Sequence, residues 1–314
     1  MTAGAIDAEG AGGAGSEAAG SAAAVMPVRS PRRVRLIERT FVRVAVVVIA
    51  VIWSLPTAGL LISSFRSNAD IRAAGWWDAL LHPFEAAQWT MSNYASVLNA
   101  DGLATSFVNS LVVTIPAVVI PITMAAFAAY AFAWMRFPGR RLLFALVVAM
   151  LVVPIQMSLV PVLRLYAGLD LNGTFLGVWL AHTGFGLPLA IFLLYNYISQ
   201  LPGDLFESAA IDGASHFQIF RELVVPLSVP ALASFAIFQF LWVWNDLLVA
   251  LVYLGTQAEV ATLPARLNEL VGTKGESWHL LTAGAFVTMV VPLAVFLLLQ
   301  RYFVRGLIAG SVKG

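Results

Sequence analysis

The sequence predicts an all-α polytopic membrane protein that crosses the bilayer six times and keeps both termini in the cytoplasm. Three observations support this fold class. Hydrophobic residues make up 60% of the 314 positions and charged residues only 11%, whereas a soluble domain has about 25% charged residues. Six apolar segments each approach the roughly 20 residues that a helix needs to cross a bilayer. Basic residues are concentrated on one side of these segments, as expected for the cytoplasmic side.

The first 40 residues are expected to lie outside the membrane. Residues 1–28 are mostly Ala, Gly and Ser. Such a segment cannot bury enough apolar surface to offset the entropy lost on ordering, so it predicts a disordered tail. An arginine-rich cytoplasmic segment follows and extends to position 40. The first transmembrane helix is predicted at 41–63, because its apolar run is longer than the roughly 7–15 residues of a secretory signal peptide.

Residues 64–105 are predicted to form an external loop. Its aromatic side chains, such as Trp76 and Trp89, are typical of a membrane–water interface. The membrane core at 106–304 contains five spans, placed at about 106–134, 141–163, 174–196, 228–253 and 280–304. Residues 305–314 form a cytoplasmic C-terminal tail.

Prolines at positions 116, 121, 154, 161, 188 and 292 lie within the predicted spans. Each removes a backbone donor that hydrocarbon cannot replace, so neighbouring helices or water must satisfy the carbonyl groups left free. The strongest local break is predicted at Gly184-Phe-Gly-Leu-Pro188. Interrupted helices often mark the substrate path of a transporter, and a packing kink is an equally good interpretation, so both stay open.

The distribution of basic residues orients the chain. Most of the 18 Lys and Arg residues fall on the side that carries both termini, the connection between spans 2 and 3, and the connection between spans 4 and 5. The positive-inside rule assigns this side to the cytoplasm. The long polar passage 201–226, which joins spans 4 and 5, is therefore predicted to be cytoplasmic.

The passage 201–226 has the pattern of two capped helices. Asp204 with Glu207, and Ser215 with Gln218, have the spacing of an N-cap and its reciprocal partner. A preorganised helix–turn–helix is therefore predicted at the membrane surface.

The ends of these two helices are predicted from single residues. Gly213 stands after the first helix, where a helix end favours a residue that tolerates positive φ. Pro226 is expected to end the second helix, because the residue before a proline, here Val225, is disfavoured in the α region.

These residues resemble a known family. Glu207-Ser-Ala-Ala-Ile-Asp-Gly213, followed by Ile219 and Val225-Pro226, is similar to the cytoplasmic coupling loop of permease subunits in binding-protein-dependent ABC importers. The family pattern is Glu-Ala-Ala, three residues, Gly, an apolar residue and Leu-Pro. This chain departs from it with Ser208 in place of Ala and Val225 in place of Leu.

The resemblance implies a coupling helix between spans 4 and 5 that docks into a cleft of the ATP-hydrolysing subunit. The implied contact residues are Glu207, Ser208, Ala209, Ala210, Asp212 and Gly213. The small Ala209 and Ala210 side chains allow close approach. The i,i+4 pairs of Leu205 with Ala209 and of Phe206 with Ala210 predict an apolar docking edge.

The C-terminal sequence from Phe303 to Gly314 resembles that of maltose- and α-glucoside-type permeases, in which the tail reaches the ATPase dimer interface. The resemblance implies ATPase contacts from Gly306, Gly310, Lys313 and Gly314. Glycines give such a tail a backbone able to enter a narrow cleft.

A second group of residues is predicted to lie within the membrane. Asp246 is acidic and deep in the fifth predicted span, where a charge costs roughly 2.5 kcal/mol or more, and Gln239 lies on the same helical face. Trp244-Asn245-Asp246 also resembles the Trp-Asn-Asp of sugar permeases. The group Trp244, Asn245, Asp246, Gln239 and His182 is therefore a candidate substrate path or gate. Its alternative is a structural hydrogen-bond cluster, which is favoured for Asp246, and a buried, hydrogen-bonded imidazole is favoured for His182.

These patterns predict a permease subunit of an ATP-driven bacterial sugar importer in the plasma membrane, for an oligosaccharide such as an α-glucoside. The resemblance implies four partners besides the lipid bilayer: a cytoplasmic ATP-binding subunit dimer, a second homologous permease, an extracytoplasmic solute-binding protein and the sugar. The chain itself lacks the Gly-x-x-x-x-Gly-Lys-Ser/Thr phosphate cradle. It is therefore expected to bind no cofactor and not to be an enzyme, while the partner ATPase uses ATP and Mg²⁺.

Three alternatives compete with this function. The first is an importer of the same type for glycerol phosphate or a polyamine. The second is an ion-coupled secondary transporter that uses Asp246 and His182. The third is an intramembrane enzyme, which lacks support because the chain has no cysteine, no Gly-x-Ser-x-Gly and four histidines without metal-ligand spacing. No basic face with interleaved aromatics indicates nucleic-acid binding.

Overall fold

A computed structural model of the chain describes residues 32–99, 102–273 and 277–309, and throughout these ranges every regular element is helical. The α-helices are α1 (Arg32–Ser64), α2 (Asn68–Ala73), α3 (Asp78–Leu81), α4 (Ser92–Asn99), α5 (Leu103–Trp134), α6 (Arg140–Met150), α7 (Ile155–Gly168), α8 (Phe175–Ile198), α9 (Gly203–Ile211), α10 (His216–Ile219), α11 (Val225–Trp244), α12 (Leu248–Tyr253), α13 (Leu263–Thr273) and α14 (Trp278–Ala309). A 3₁₀ turn covers Ala86–Gln88 and a π turn covers Phe220–Val224.

Within the described ranges, five segments are long and apolar enough to cross a membrane as single helices. They are Arg39–Ser64, Leu103–Trp134, Phe175–Ile198, His216–Trp244 and Trp278–Gln300. The predicted all-helical membrane protein is confirmed in these segments. α1 already begins at Arg32, so the arginine-rich segment before the first span is helical from that point. The disordered tail predicted at 1–28 lies outside the described residues.

The chain divides at Ser54 into two units. The described part of the first unit is the beginning of α1, where most side chains between Phe41 and Trp53 are exposed and apolar. The second unit, residues 55–314, contains every site discussed below.

The predicted span 141–163 is not a single helix. α6 and α7 meet at a break of a few residues and differ in direction by 101°. Pro154 precedes α7 in an extended conformation, with ψ of 129°. A proline has no N–H to donate and disfavours the helical conformation of the residue before it, so the chain turns here and resumes as a second helix. Only the pair together has the length of a span.

The predicted span 228–253 is also divided. α11 ends at Trp244 and α12 begins at Leu248, so Asp246 lies between two helices and not deep inside one. By contrast, α8 continues through the predicted break at 184–188 without interruption.

α5 supplies buried side chains to each of the three hydrophobic clusters of the second unit. Tyr130 belongs to the first cluster, Val113 to the second and Leu103 to the third. Because these residues span the length of α5, the other core helices pack around it.

The prolines of α5 leave carbonyl groups that neighbouring helices satisfy. Pro121 has no N–H, so the carbonyl of Ala117 loses the donor four residues ahead. The Gln239 side-chain amide of α11 donates to that carbonyl at 3.2 Å. This hydrogen bond confirms that a neighbouring helix compensates for this proline.

The second proline of α5 is compensated in the same way. Pro116 leaves the carbonyl of Val112 without its helical donor. The indole Nε1 of Trp179 on α8 donates to that carbonyl at 2.9 Å. α5 therefore remains helical from Leu103 to Trp134 despite two internal prolines.

Residues 64–99 form short helices held by buried polar groups. The Arg66 guanidinium donates to the carbonyl of Gly75 at 2.8 Å. The Asn93 amide donates to the carbonyls of Ser64 and Arg66, both at 2.9 Å. The predicted external loop is thus an ordered segment rather than a simple connection.

The C-terminal prediction can be followed only in part. α14 extends to Ala309, so Gly306 is helical. Gly310, Lys313 and Gly314 lie outside the described residues.

Candidate functional site

The first helix of the loop 201–226 is α9, and its N-terminus differs from the prediction. The N-cap residue is Pro202, which forms no side-chain cap, and Asp204 lies in the first turn. The expected Asp204–Glu207 capping box is therefore wrong, because the helix begins before Asp204. The Asp204 carboxylate still favours this helix end, since a negative charge near an N-terminus interacts well with the helix dipole.

Gly213 ends α9 as predicted. Its φ is +74°, in the left-handed region. The N–H groups of Gly213 and Ala214 donate to the carbonyls of Ala210 and Ala209, at 3.1 and 3.0 Å. These two hydrogen bonds are those of a Schellman motif, which closes a helix C-terminus and reverses the chain.

The capping box of α10 is confirmed. The Gln218 N–H donates to the Ser215 hydroxyl at 3.4 Å, and the Ser215 N–H donates to the Gln218 side-chain oxygen at 2.8 Å.

Pro226 does not end the second helix, contrary to the prediction. Val225 has φ −61° and ψ −51°, and its N–H donates to the carbonyl of Phe220. In a regular α-helix the proline ring would collide with the carbonyl four residues earlier. The wider π turn Phe220–Val224 gives the ring room. The π turn therefore continues directly into α11, and the helix is not interrupted at Pro226.

The loop is fixed to α5 by aromatic contacts. Phe127, Tyr130 and Trp134 lie at helical spacing on α5, and we call these three residues with their partners Phe220, His216 and Phe206 the aromatic anchor. At one end of the anchor, the rings of Trp134 and Phe206 stack with centroids 3.7 Å apart and planes 12° apart. The Trp134 indole also donates to the carbonyl of Ile198 at the end of α8, at 3.0 Å.

The remaining contacts of the aromatic anchor extend along α5. The Tyr130 hydroxyl and His216 Nδ1 are hydrogen-bonded at 3.0 Å. Phe127 stacks on Phe220 with a centroid distance of 4.2 Å. α9, α10 and the π turn are thus each held against the same helix.

The anchor decides which loop side chains are exposed. Phe206 is only 7% exposed because it faces Trp134, so it cannot form the predicted apolar docking edge. Ile211 and Phe217 are the strongly exposed apolar side chains of the loop, at 86% and 62%. Of the predicted contact residues, Ala209 is half-buried, and the exposed ones are Glu207, Ser208, Ala210, Asp212 and Gly213.

Trp244 has a packing role that the sequence did not reveal. Its indole donates to the carbonyl of Thr288 on α14 at 3.1 Å, and that carbonyl has lost its helical donor because Pro292 stands four residues ahead. The buried ring also stacks on Phe240 and meets Phe107 edge-on. Trp244 therefore joins α11 to α14 and α5.

Asp246 begins α12. Its carboxylate accepts from the N–H groups of Val249 and Ala250, at 3.3 and 3.0 Å. Its other neighbour is His182 and not Gln239 as predicted, with 3.7 Å between His182 Nε2 and the carboxylate. Asn245 donates its side-chain amide to a carbonyl of its own helix, α11.

His182 is fully buried and contacts the edge of Trp242, with ring centroids 5.2 Å apart. The imidazole is buried as predicted, whereas neither ring nitrogen has a hydrogen-bond partner within the described part of the chain. Among the described residues, no group of three or more His, Asp or Glu side chains could hold a metal ion.

Gln239 borders an intramembrane cavity of about 260 Å³ between α8, α11 and the α6–α7 break, which Phe185, Gly186 and Trp242 also line. Its side-chain oxygen has no hydrogen-bond partner among the described residues. Gly186 permits the close approach of Gln239, because a Cβ there would lie 2.7 Å from the amide. An adjoining cavity of about 400 Å³ shares Phe185.

The chain matches a family of known proteins. The family described as "Binding-protein-dependent transport system inner membrane component" matches residues 104–309. This range begins in α5, contains the loop 201–226 and ends with α14.

Curated relatives and a solved structure are similar over most of the chain. The osmoprotective compounds uptake permease protein GgtD of Synechocystis is 60% identical over 90% of this chain and 95% of its own. The alpha-glucoside transport system permease protein AglG of Rhizobium meliloti is 44% identical over 87% of this chain and 97% of its own. A chain of a bacterial ABC transporter involved in the import of alginate has the same fold, with a TM-score of 0.70 at 21% identity over 88% of this chain and 100% of that chain.

Proposed function

Since the chain belongs to the family of binding-protein-dependent transport system inner membrane components, we propose that it is the permease subunit of an ATP-driven importer of oligosaccharides such as α-glucosides. Membership makes it a multi-pass plasma-membrane protein and a transport component of an ABC system. A dimer of a cytoplasmic ATPase, a second permease subunit and an extracytoplasmic binding protein complete the proposed machine.

The loop 201–226 is the observation that carries this proposal. Its outer surface presents Glu207 and Ser208 of the coupling-loop pattern together with the adjacent Ala210, while its inner surface is held on α5 by the aromatic anchor. A loop with one exposed face and one face packed firmly on α5 is suited to docking with a partner whose movement displaces it.

The proposed cycle uses this support. ATP binding closes the ATPase dimer, and the closure displaces the loop 201–226. The core helices then rock from an inward-facing to an outward-facing arrangement, accept solute from the binding protein, and reset after hydrolysis.

Charge supports a cytoplasmic location for the loop. Trp134 at the end of α5 packs on Phe206 of the loop, so the connection that follows α5 lies at the same end of the bundle. This connection carries Arg136, Arg140 and Arg141. The positive-inside rule places such a cluster in the cytoplasm.

The name of one relative, AglG, and the lining of the two cavities favour an uncharged solute. AglG is named for α-glucosides and GgtD for osmoprotective compounds. The two adjoining cavities are lined by no charged side chain of the described residues. A glycerol phosphate or polyamine importer would be expected to place a charge of opposite sign on the solute's route.

A second candidate function is an ion-coupled secondary transporter. The observation that favours it is the buried pair of His182 and Asp246, 3.7 Å apart, because intramembrane ionisable pairs often belong to proton relays. The carboxylate nevertheless accepts two backbone N–H groups of α12, which is a structural role.

Reconstitution separates these functions. The chain is assembled in liposomes with the ATPase, the second permease subunit and the binding protein of the proposed complex. Uptake of a labelled α-glucoside is then measured. We expect uptake to require ATP and binding protein and to persist when a protonophore collapses the proton gradient. Uptake by the chain alone, driven by an ion gradient, would contradict the proposal.

A further inference from the structure

α5 is held by specific side-chain contacts at both of its ends. At its C-terminal end, the aromatic anchor joins it to the loop 201–226. At its N-terminal end, the Asn109 amide donates to the carbonyls of Glu259 and Ala261, at 2.9 and 3.1 Å. The next residue, Ser110, accepts from the N–H of Leu263 at 2.8 Å.

The two sets of contacts are far apart on one continuous helix. Asn109 and Tyr130 are separated by roughly 30 Å at 1.5 Å per residue. Two prolines lie between them, and an uncompensated proline would weaken the helix there. The Val112 and Ala117 carbonyls that these prolines leave free are instead satisfied from α8 and α11, so α5 stays connected to its neighbours along its length.

We propose that α5 transmits the displacement of the loop 201–226 to the segment 259–263 at the other end of the bundle, with Trp134 and Asn109 as its positioning residues. The inference rests on the proposed function and deepens it, because segment 259–263 then lies on the side where the binding protein delivers solute. A stacked ring pair and a buried amide with two acceptors resist sliding, so a shift of either segment moves α5.

The linkage is reciprocal. If displacement of the loop shifts segment 259–263, then binding at that segment must bias the position of the loop by the same coupling free energy. Loss of either contact is therefore expected to separate ATP hydrolysis from solute import.

The test measures ATP hydrolysis and solute uptake together in liposomes that hold the full complex and an α-glucoside. Trp134→Ala removes both the ring stack and the indole donor. We expect the ATP hydrolysed per solute imported to rise roughly fivefold, the low end of typical couplings between sites. Asn109→Ala is expected to raise the same ratio from the opposite end of α5.

The double variant shows whether the two substitutions disrupt the same coupling through α5 or cause two independent defects. If both residues act through α5, Trp134→Ala combined with Asn109→Ala should be no worse than the more affected single variant. Independent defects would multiply, and that result would overturn the inference. Unchanged ratios in both single variants would overturn it as well.

Controls separate transmission from folding. Trp53→Ala removes an indole that is 79% exposed on α1, and it should leave the ATP hydrolysed per solute imported at the wild-type value. Trp134→Phe keeps an aromatic ring that can stack on Phe206, so its ATP-to-solute ratio should be close to the wild-type value. If Trp134→Ala lowers the amount of assembled complex, Phe206→Leu removes the same stack while retaining an apolar side chain.

The same experiment separates failure of this inference from failure of the proposed function. A wild-type complex that imports nothing would overturn both. Coupled import by the wild type together with unchanged variants would overturn this inference alone.

Discussion

At the scale of single residues, the intramembrane prolines explain side chains that the sequence suggested for substrate contact. Gln239 and Trp244 each donate to a carbonyl that a proline has freed, on α5 and α14 respectively. Hydrocarbon offers no water to such a carbonyl, so a side-chain donor from a neighbouring helix stabilises the bundle. Their burial therefore has a structural reason that does not involve solute.

A compensating substitution can test this explanation for Gln239. Gln239→Met keeps an unbranched side chain and removes the donor to Ala117. We expect a loss of about 0.6 kcal/mol and at most about 2 kcal/mol, as measured for interhelical hydrogen bonds in membranes. Pro121→Ala supplies a backbone N–H to the same carbonyl, so the double variant should recover most of the loss in thermal unfolding of the purified protein. A double variant as unstable as Gln239→Met would contradict this role.

Two glycines on α8 provide a matched test of the packing around Gln239. A Cβ at Gly186 would lie 2.7 Å from the Gln239 amide, whereas at Gly184 it would meet nothing within 4 Å. We expect Gly186→Ala to destabilise the protein by about 1–3 kcal/mol through overpacking. Gly184→Ala should be neutral or slightly stabilising, because alanine favours the helix. Equal unfolding temperatures for the two variants would contradict the close approach at Gly186.

At the scale of elements, the loop 201–226 depends on Gly213 for its chain reversal. The φ of +74° is accessible to Gly, tolerated by Asn and excluded for Pro, whose φ is near −65°. Because the open space around Gly213 would accept a side chain, the requirement is conformational and not steric.

Substitutions at Gly213 should therefore form a graded series. Sugar uptake is expected to fall in the order Gly, Asn, Ala and Pro, with Gly213→Pro abolishing it while the protein remains inserted. Glu207→Lys, which reverses an exposed charge of the docking surface, should also abolish uptake without changing membrane abundance. Membrane level and uptake of labelled sugar are measured in the same cells, and normal uptake by Gly213→Pro at normal abundance would be incompatible with the coupling role.

At the scale of the whole molecule, topology can be tested with single cysteines, because the chain has none. Phe84 and Ile211 are 98% and 86% exposed, and they belong to the segment 64–105 and to the loop 201–226. In cells that lack the partner subunits, a membrane-impermeant maleimide should label Phe84→Cys directly. Ile211→Cys should react only after permeabilisation, and its labelling in intact cells would reverse the proposed orientation.

The sequence by itself determined the features that depend on composition or on neighbours along the chain. The low charge content predicted a membrane protein, because so few charges cannot cover a soluble surface. The Ser215–Gln218 capping box and the turn at Gly213 were predicted because their hydrogen bonds join residues a few positions apart. The need to satisfy carbonyls freed by prolines also followed from sequence, since it arises from a missing N–H.

Only the tertiary structure decided which side chains meet across helices. Trp179, Gln239 and Trp244 could not be assigned to their carbonyls from sequence, because each donor lies on a different helix from its acceptor. Phe206 was predicted to face a partner, but it stacks on Trp134 from the far end of α5. The physical reason is the same in each case: a periodic pattern shows that a side chain needs burial or a hydrogen bond, whereas the packing of helices distant in sequence selects the group that provides it.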